Sequence, residues 1–359
     1  MYGVYVHVPW CRVRCPYCAF AVDTRREPDE AGWVAGVLRD WAREAPFFVG
    51  APTTLAFGGG TPSRADPASL AAVVRAVAPS GEVSMEANPE DVTPERLAAW
   101  HGLGVTRLSL GVQTFSPALA PRLGRAHSAR QAVAALGEAI AAGFRSVSAD
   151  LIFGQAGQEV AALLDDVEAA VAAGVGHVSL YALTIEEGTP FAARAGMAVD
   201  EDRWVELQEA AVRRLGALGF EQYEVSNFAR LGHRSQHNEH YWRARSWAGL
   251  GPSAHGWRPD GTRTANPSGF GEWSEGQPPE CERPTPQALL FELVWSTLRH
   301  VEGVDGPELA ARTGFTLRAP PRLLEVGLLR WEGHRLCLAP TAFPISDGVV
   351  RAVVDATLA

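Results

Sequence analysis

The feature that most constrains the fold of this 359-residue chain is a repeated joint, in which a helix-like segment ends at a glycine and an apolar residue follows. The joint occurs four times in the first two-thirds of the chain, at Gly104, Gly143, Gly174 and Gly219. Glycine adopts the left-handed conformation that ends a helix at little cost. Repeated helix–glycine–strand joints therefore favour βα units on a parallel sheet.

Apolar or β-branched runs alternate with these helix-like segments. They predict strands at residues 4–8, 54–57, 83–87, 107–111, 146–152 and 177–181. Helical periodicity is clearest over 129–142 and 158–173. Periodicity alone leaves open whether the sheet is doubly wound or forms a full or partial barrel.

The amino-acid composition of the chain changes after residue 230. Residues 231–286 are rich in Gly, Pro, Arg and Trp, and they predict an irregular connecting segment with a hairpin near 259–261. The remainder, 287–359, predicts helices at 287–300, 306–313 and 320–326, a hairpin over 328–338 and a final helix. Three helices and a hairpin resemble a winged helix. The predicted division is therefore 1–230, 231–286 and 287–359.

Charge and composition limit the classes of partner. From residue 287 onward there are seven Arg against eight Asp and Glu, so no basic face is expected there and nucleic-acid binding is not predicted. The whole chain has a net charge of −9 and is 47% hydrophobic. No run reaches the ~18 apolar residues of a membrane span, so no stable membrane insertion is expected. With no signal peptide and with free thiols expected, the predicted location is the cytoplasm.

Three of the five cysteines, Cys11, Cys15 and Cys18, fall within eight residues with the spacing C-x3-C-x2-C. Three thiolates this close can hold three irons of a cubic 4Fe–4S cluster and leave the fourth iron open for a small molecule. Structural zinc would need a fourth ligand, for which His7 is a candidate within a strand-like run. A disulfide framework needs an even cysteine count and usually a short secreted chain. The cluster is the favoured prediction, and zinc is the alternative.

Residues 11–18, CRVRCPYC, resemble the cluster loop of radical S-adenosylmethionine (radical SAM) enzymes. Further motifs are similar to the HemN-like coproporphyrinogen dehydrogenase group, at 5–11, 58–62, 109–113, 187–191, 226–229 and 249–256. Within that group, residues 237–242, HNEHYW, resemble the H-N-x-x-Y-W motif of HemW-type haem chaperones. The dehydrogenases proper have a fourth cysteine where this chain has Phe20, which favours the chaperone branch. The resemblance implies an α/β fold, a partial (β/α)6 barrel followed by a smaller C-terminal α+β domain.

The resemblance also implies that the open iron chelates S-adenosylmethionine, whose one-electron cleavage gives a 5′-deoxyadenosyl radical. A carboxylate suits the ribose hydroxyls, an arginine pairs with the methionine carboxylate, and consecutive glycines admit a ligand close to the backbone. For any one of the residues below, an ordinary cap or surface pair is the alternative. The implied cofactor contacts are Tyr5, Tyr17, Gly59, Gly60, Thr61, Glu86, Gln113, Arg125, Asp150 and Ala182.

The H-N-x-x-Y-W motif implies a haem contact. By resemblance His237 is the haem-ligand candidate, since neutral imidazole is a good ligand for haem iron. Tyr241 and Trp242 could stack against a porphyrin face. The alternative is that His237 and Asn238 cap a turn while the two aromatic residues fill the core.

The favoured hypothesis is a radical SAM-type haem chaperone that binds haem and transfers it to an unidentified acceptor protein. Cleavage of S-adenosylmethionine is expected, but whether the protein is an enzyme stays open. An oxygen-independent coproporphyrinogen III dehydrogenase, or another radical SAM tetrapyrrole enzyme, is the first alternative. A zinc-stabilised interaction protein is the second.

Overall fold

The computed structural model describes residues 1–125 and 127–359. Its centre is a set of six parallel strands that pair in chain order. They are β1 (Gly3–Val8), β2 (Thr54–Gly59), β3 (Glu82–Ala87), β4 (Arg107–Gln113), β5 (Ser146–Phe153) and β6 (His177–Ala182). Every predicted strand is confirmed, with its ends within about two residues, as usual for boundaries read from a sequence.

The parallel strands curl around a common interior. Side chains from five of them line one space inside the sheet: Tyr5, Glu86, Ser109, Asp150 and Tyr181. A flat sheet could not bring residues of the first and sixth strands to the same small space. The sheet is therefore the predicted partial barrel rather than an open doubly wound sheet.

Helices cover the outer face of these strands. They are α1 (Glu30–Glu44), α2 (Pro67–Val77), α3 (Pro94–Gly102), α4 (Ala129–Ala141), α5 (Val160–Ala172) and α6 (Glu201–Ala217). Short 3-10 helices lie at Ala45–Phe47, Pro62–Arg64, Pro89–Asp91 and Pro340–Ile345. Two of the predicted joint glycines, Gly104 and Gly174, both have φ of +96°, which a side chain would resist. The helix–glycine–strand joints are therefore confirmed.

The sheet continues past both edges of the parallel set. On one side β8 (Asn227–Ala229) pairs antiparallel with β6, and β7 (Glu221–Gln222) follows it. On the other side β9 (Trp247–Leu250) pairs in parallel with β1. Three further antiparallel strands complete that side: β10 (His255–Trp257), β11 (Arg263–Ala265) and β12 (Glu280–Glu282).

Residues 231–286 are thus more regular than their composition predicts. They contain β9 to β12 and two short helices, α7 (Gln236–Trp242) and α8 (Phe270–Ser274). The difference arises because strands of three or four residues are too short to show a period-two pattern. The hairpin expected near 259–261 is confirmed between β10 and β11, with Gly261 at φ of +89°.

The last part of the chain packs around a second hydrophobic core, which includes Leu293, Leu336 and Val350. Its sheet has the order β13–β15–β14, from β13 (Val304–Asp305), β14 (Leu329–Glu332) and β15 (Arg335–Leu338). Its helices are α9 (Pro286–Leu298), α10 (Gly306–Thr313), α11 (Pro321–Glu325) and α12 (Ser346–Leu358). The expected helices and hairpin of a winged-helix-like α+β domain are all present. Across the described ranges, no helix is both long and apolar enough to cross a membrane.

Candidate functional site

Cys11, Cys15 and Cys18 follow β1 directly and line one cavity of about 440 Å³. All three are free thiols and half-buried. The loop is anchored to the chain that returns past it, because Cys11 N–H donates to Asp23 O at 2.9 Å and Asp23 N–H donates to Pro9 O at 2.7 Å. The strand end therefore presents three sulfur atoms to a single space.

The thiols have polar neighbours that suit a metal cluster. Thr61 Oγ1 lies 3.4 Å from Cys11 Sγ, and Arg125 Nη1 donates to Cys15 Sγ at 3.7 Å. Burial raises the pKa of the Cys11 and Cys18 thiols, so both are protonated near neutral pH before metal binds. Three soft donors beside a cation fit an anionic iron–sulfur cluster, and cluster assembly would release their protons.

The glycines after β2 form the next wall of the cavity. Gly59 has φ of +104°, and a Cβ there would overlap the His7 ring on β1. A Cβ on Gly60 would lie 2.7 Å from the Pro9 carbonyl carbon. Both residues line the cavity together with Thr61. Glycine is needed here for packing against the cluster strand, whether or not a ligand also approaches the backbone.

Two carboxylates from neighbouring parts of the barrel face the same cavity. Glu86 is open to the cavity yet lies deep within the barrel, and desolvation, reinforced by the charge of Asp150, raises its pKa to about 7. Asp150 accepts hydrogen bonds from Ser109 Oγ at 2.7 Å and Ser148 Oγ at 3.2 Å. Burial raises the pKa of Asp150 also, while these hydroxyls favour its charged form. One carboxyl can thus donate a hydrogen bond while the other accepts.

Gln113 ends β4 in an uncommon backbone conformation. Its φ is +67°, and Thr114 N–H donates to Val112 O at 2.9 Å across it, which makes a three-residue turn. The pairing of β4 with β5 shifts register at the same place, between Leu110 and Gln113. A non-glycine residue held in this region costs about 1–3 kcal/mol and persists only where its surroundings fix it.

Asp166 of α5 holds this turn in place. It is buried, accepts a hydrogen bond from Thr114 Oγ1 at 2.6 Å and accepts another from Phe115 N–H at 2.7 Å. His127 contacts the same turn through Nε2, 3.1 Å from Val112 O. Asp166 was not predicted from the sequence, although an acidic residue within the apolar stripe of α5 was an available signal.

Arg125 joins three parts of the cavity. Its Nη2 donates to Asn88 Oδ1 at 2.6 Å and to Gly111 O at 2.8 Å, while Nη1 reaches Cys15. Asn88, just after β3, lines the cavity and was not predicted from the sequence. These contacts hold the guanidinium beside the cluster cysteines instead of in bulk solvent.

Tyr17 and Ala182 complete the predicted set around this cavity. The Tyr17 ring lies 6.2 Å from the Phe191 ring, and burial raises its pKa. Ala182 is the last residue of β6. Of the fourteen site residues predicted from sequence, the structure places all but Tyr5 and His237 around the cluster cavity.

Tyr5 and His237 lie in a second, inner cavity of about 170 Å³ inside the barrel. The two cavities share Glu86, Ser109, Asp150 and Tyr181 as their common wall. Tyr5 Oη is 3.2 Å from His7 Nδ1. Tyr5 therefore approaches the carboxylates from the side opposite the cysteines.

His237 is only 2% exposed, and protein groups contact both of its ring nitrogens. Nδ1 lies 2.8 Å from Thr54 Oγ1, and Nε2 lies 2.8 Å from Tyr241 Oη. Burial, with a smaller effect of His240, lowers the pKa of His237 to about 3, so the ring is neutral. Haem-iron ligation by His237 stays a prediction, and in this conformation its lone pair already has a partner.

The zinc alternative requires a compact group of ligands. Within residues 1–125 and 127–359, no three His, Cys, Asp or Glu side chains converge closely enough to hold a single metal ion. The three cluster-loop cysteines are among the side chains that do not converge in this conformation, so this observation does not separate zinc from an iron–sulfur cluster.

Comparison with known proteins places this site in a family. A family model described as the radical SAM superfamily matches residues 5–170. The chain is 38% identical to "Heme chaperone HemW" of Mycobacterium tuberculosis H37Rv, over 98% of this chain and 95% of that protein. It is 34% identical to "Heme chaperone HemW" of Escherichia coli K12, over 87% and 86% of the two chains.

A solved structure supports the fold assignment. Coproporphyrinogen III oxidase (HemN) from Escherichia coli superposes with a TM-score of 0.82, over 98% of this chain and 89% of that one, at 18% sequence identity. At that identity the likeness is evidence of a shared fold alone. Taken with the sequence relatives and the cysteine-lined cavity, it leads to one assignment: this chain belongs to the radical SAM superfamily and, within it, to the HemW family.

Proposed function

We propose that this protein is a haem chaperone that binds haem and transfers it to an acceptor protein. The observation that carries the proposal is the cluster cavity, where three free cysteines meet the residues expected to hold S-adenosylmethionine. The same chain is 38% identical along nearly its whole length to a protein named as a haem chaperone. Free thiols in this cavity fit a reducing compartment such as the cytoplasm.

Membership of the radical SAM superfamily implies a 4Fe–4S cluster and S-adenosylmethionine. We assign the cluster to Cys11, Cys15 and Cys18, whose sulfurs share one cavity beside Arg125. When bound, cluster and cofactor supply one-electron reductive chemistry. The Arg125 guanidinium offsets negative charge at Cys15, and its half-buried position reduces the screening of that charge by water.

The remaining predicted residues have roles in orienting the cofactor. Below about pH 7 Glu86 can carry a proton and donate a hydrogen bond, and the Asp150 carboxyl can accept one, as the hydroxyls of a ribose require. Gln113 projects from its strained turn at the end of β4, fixed by Asp166. Gly59, Gly60 and Thr61 leave the backbone next to Cys11 accessible to the cavity.

We propose that residues 287–359, which pack around a second hydrophobic core, serve the haem-transfer role through contact with the barrel or with the acceptor. Its core includes Ala244 and Trp257, which come from the 231–286 segment. Arg243, at the end of α7, donates to Glu302 Oε1 at 2.6 Å. The segment thereby connects the barrel to the C-terminal unit.

The decisive experiment is anaerobic cluster reconstitution, followed by haemin titration with and without S-adenosylmethionine and then by mixing with an apo-haemoprotein. The proposal expects about four irons per chain, saturable haemin binding and haemin transfer to the acceptor. Absence of haemin binding would refute the proposal. Formation of protoporphyrinogen from coproporphyrinogen III at a useful rate would instead identify a dehydrogenase.

A further inference from the structure

The cluster loop carries apolar side chains that face water. Phe20 is 63% exposed and Val13 is 71% exposed, and both line the mouth of the cluster cavity. Deeper in the same cavity, Ile152 and Leu183 are buried. Scattered exposed apolar residues need no explanation, but two on one short loop at the entrance of one cavity form an apolar rim.

A cation lies next to this rim. Arg14 is exposed, and its Nη2 donates to the Phe20 carbonyl at 2.8 Å, which holds the guanidinium beside the exposed ring. No carboxylate among the described residues pairs with Arg14, whereas the neighbouring Arg12 is paired with Asp91. Glu186 also lines the cavity. The mouth is thus apolar, with a positive charge at Arg14 that no carboxylate of the described residues pairs with.

His237 presents a contrasting environment, since it is buried inside the barrel with both nitrogens in contact with protein hydroxyls. For haem iron to reach a ring nitrogen of His237, either the contact with Thr54 of β2 must break or the Tyr241 hydroxyl on the same helix must move away. The cluster mouth needs no such rearrangement.

From this we infer that haem docks at the mouth of the cluster cavity, with its face on Phe20 and Val13 and a propionate paired with Arg14. The inference rests on the proposed function, which supplies haem as the ligand. A flat apolar body bearing carboxylates is the ligand that this mouth complements. Buried His237 then belongs to the barrel core, and haem is held at a surface from which it can leave.

The test measures haemin affinity by equilibrium dialysis on the cluster-reconstituted protein. Phe20→Ser is expected to weaken haemin binding about tenfold, the effect of losing one apolar contact surface. Phe20→Trp is expected to keep it. Leu231→Ser is the matched control, since Leu231 is a fully exposed apolar residue that lines neither cavity. Iron content and S-adenosylmethionine affinity are expected to stay unchanged in all three variants.

The charge contact is tested with a second ligand. Arg14→Gln is expected to weaken haemin binding about threefold, as for one exposed ion pair. Haemin dimethyl ester, whose propionates carry no charge, is expected to bind the wild type and Arg14→Gln equally. An equal loss for both ligands would mean that Arg14 acts by positioning the loop, against the inference.

Unchanged haemin affinity in Phe20→Ser overturns the docking site. So does normal haemin binding in Phe20→Ser with loss of transfer to the apo-haemoprotein, because that result would make the rim a protein-docking face. If the wild type binds no haemin, the proposed function itself fails. That outcome is distinct from a wild type that binds haemin at another place.

Discussion

The two cavities of the barrel contain the two motifs that the sequence shows most clearly, in opposite physical surroundings. The cluster cavity presents free thiols, exposed apolar side chains and an arginine without a carboxylate partner. The inner cavity encloses His237 with both ring nitrogens satisfied by protein hydroxyls. Only a few shared residues, among them Glu86 and Asp150, separate the two.

A sequence motif therefore does not by itself reveal whether its side chains are free to bind a ligand. The cysteine sulfurs are free to bind a ligand, as the atoms of a binding site must be. Both ring nitrogens of His237 already contact protein hydroxyls, as is typical of a buried structural residue. The predictions below test whether these two roles are as separate as the contacts indicate.

The largest expected effect concerns the cluster loop. Cys15→Ser is expected to lower bound iron from about four atoms per chain to almost none, because a hydroxyl is a poor ligand for this cluster. Iron and sulfide analysis after anaerobic reconstitution measures it. Cys281→Ser is the matched control, since Cys281 is exposed on β12 far along the chain. Retention of the full cluster in Cys15→Ser would contradict the ligand assignment.

The second prediction concerns the inner cavity. His237→Ala is expected to lower the free energy of unfolding by about 2–4 kcal/mol, because it opens a cavity and leaves Thr54 and Tyr241 without their buried partner. Urea unfolding of the apo-protein measures it. His255→Ala, at an exposed histidine, is expected to change stability by less than about 0.5 kcal/mol. A fully stable His237→Ala protein that no longer binds haemin would instead indicate that His237 is the haem ligand.

The third prediction concerns the support of Gln113. Asp166→Ala is expected to lower the free energy of unfolding by about 1–3 kcal/mol, since it removes two buried hydrogen bonds to the Thr114 turn. It is also expected to weaken S-adenosylmethionine binding, because Gln113 loses its fixed conformation. Asp165→Ala is the control, an exposed neighbour on the same helix. If Asp166→Ala weakens binding equally in a Gln113→Ala background, Asp166 does not act through Gln113.

The smallest expected effect is a pH dependence at the wall between the cavities. The pKa of Glu86 is raised from 4.5 to about 7 in the folded apo-protein. Its stabilising contribution is therefore fully present below pH 4.5 and is lost as the pH rises through about 7. Glu86→Gln is expected to flatten the decline of the unfolding free energy over that range, whereas Glu206→Gln, at an exposed glutamate, is not. Parallel slopes for wild type and Glu86→Gln would show that Glu86 is charged throughout.

Much of the fold could be predicted because each signal was local. Apolar runs such as residues 146–152 and glycines such as Gly174 predict the conformation of their own stretch of backbone. The cluster cavity was also predictable, since its residues lie at or near successive ends of parallel strands, which a barrel gathers at one edge. Asp166 was missed because its partners lie about fifty residues earlier in the chain. The surroundings of His237 were equally hidden, because Thr54 comes from a distant strand.

The placement of β1 has a consequence for how the chain is made. This first strand lies in the interior of the sheet, between β2 and β9, and β9 begins only at Trp247. During synthesis one edge of β1 therefore stays unpaired until more than two-thirds of the chain has emerged, and an unpaired edge is prone to wrong partners. The strand that leads into the cysteine loop is therefore among the first to be synthesised and among the last to be paired on both edges.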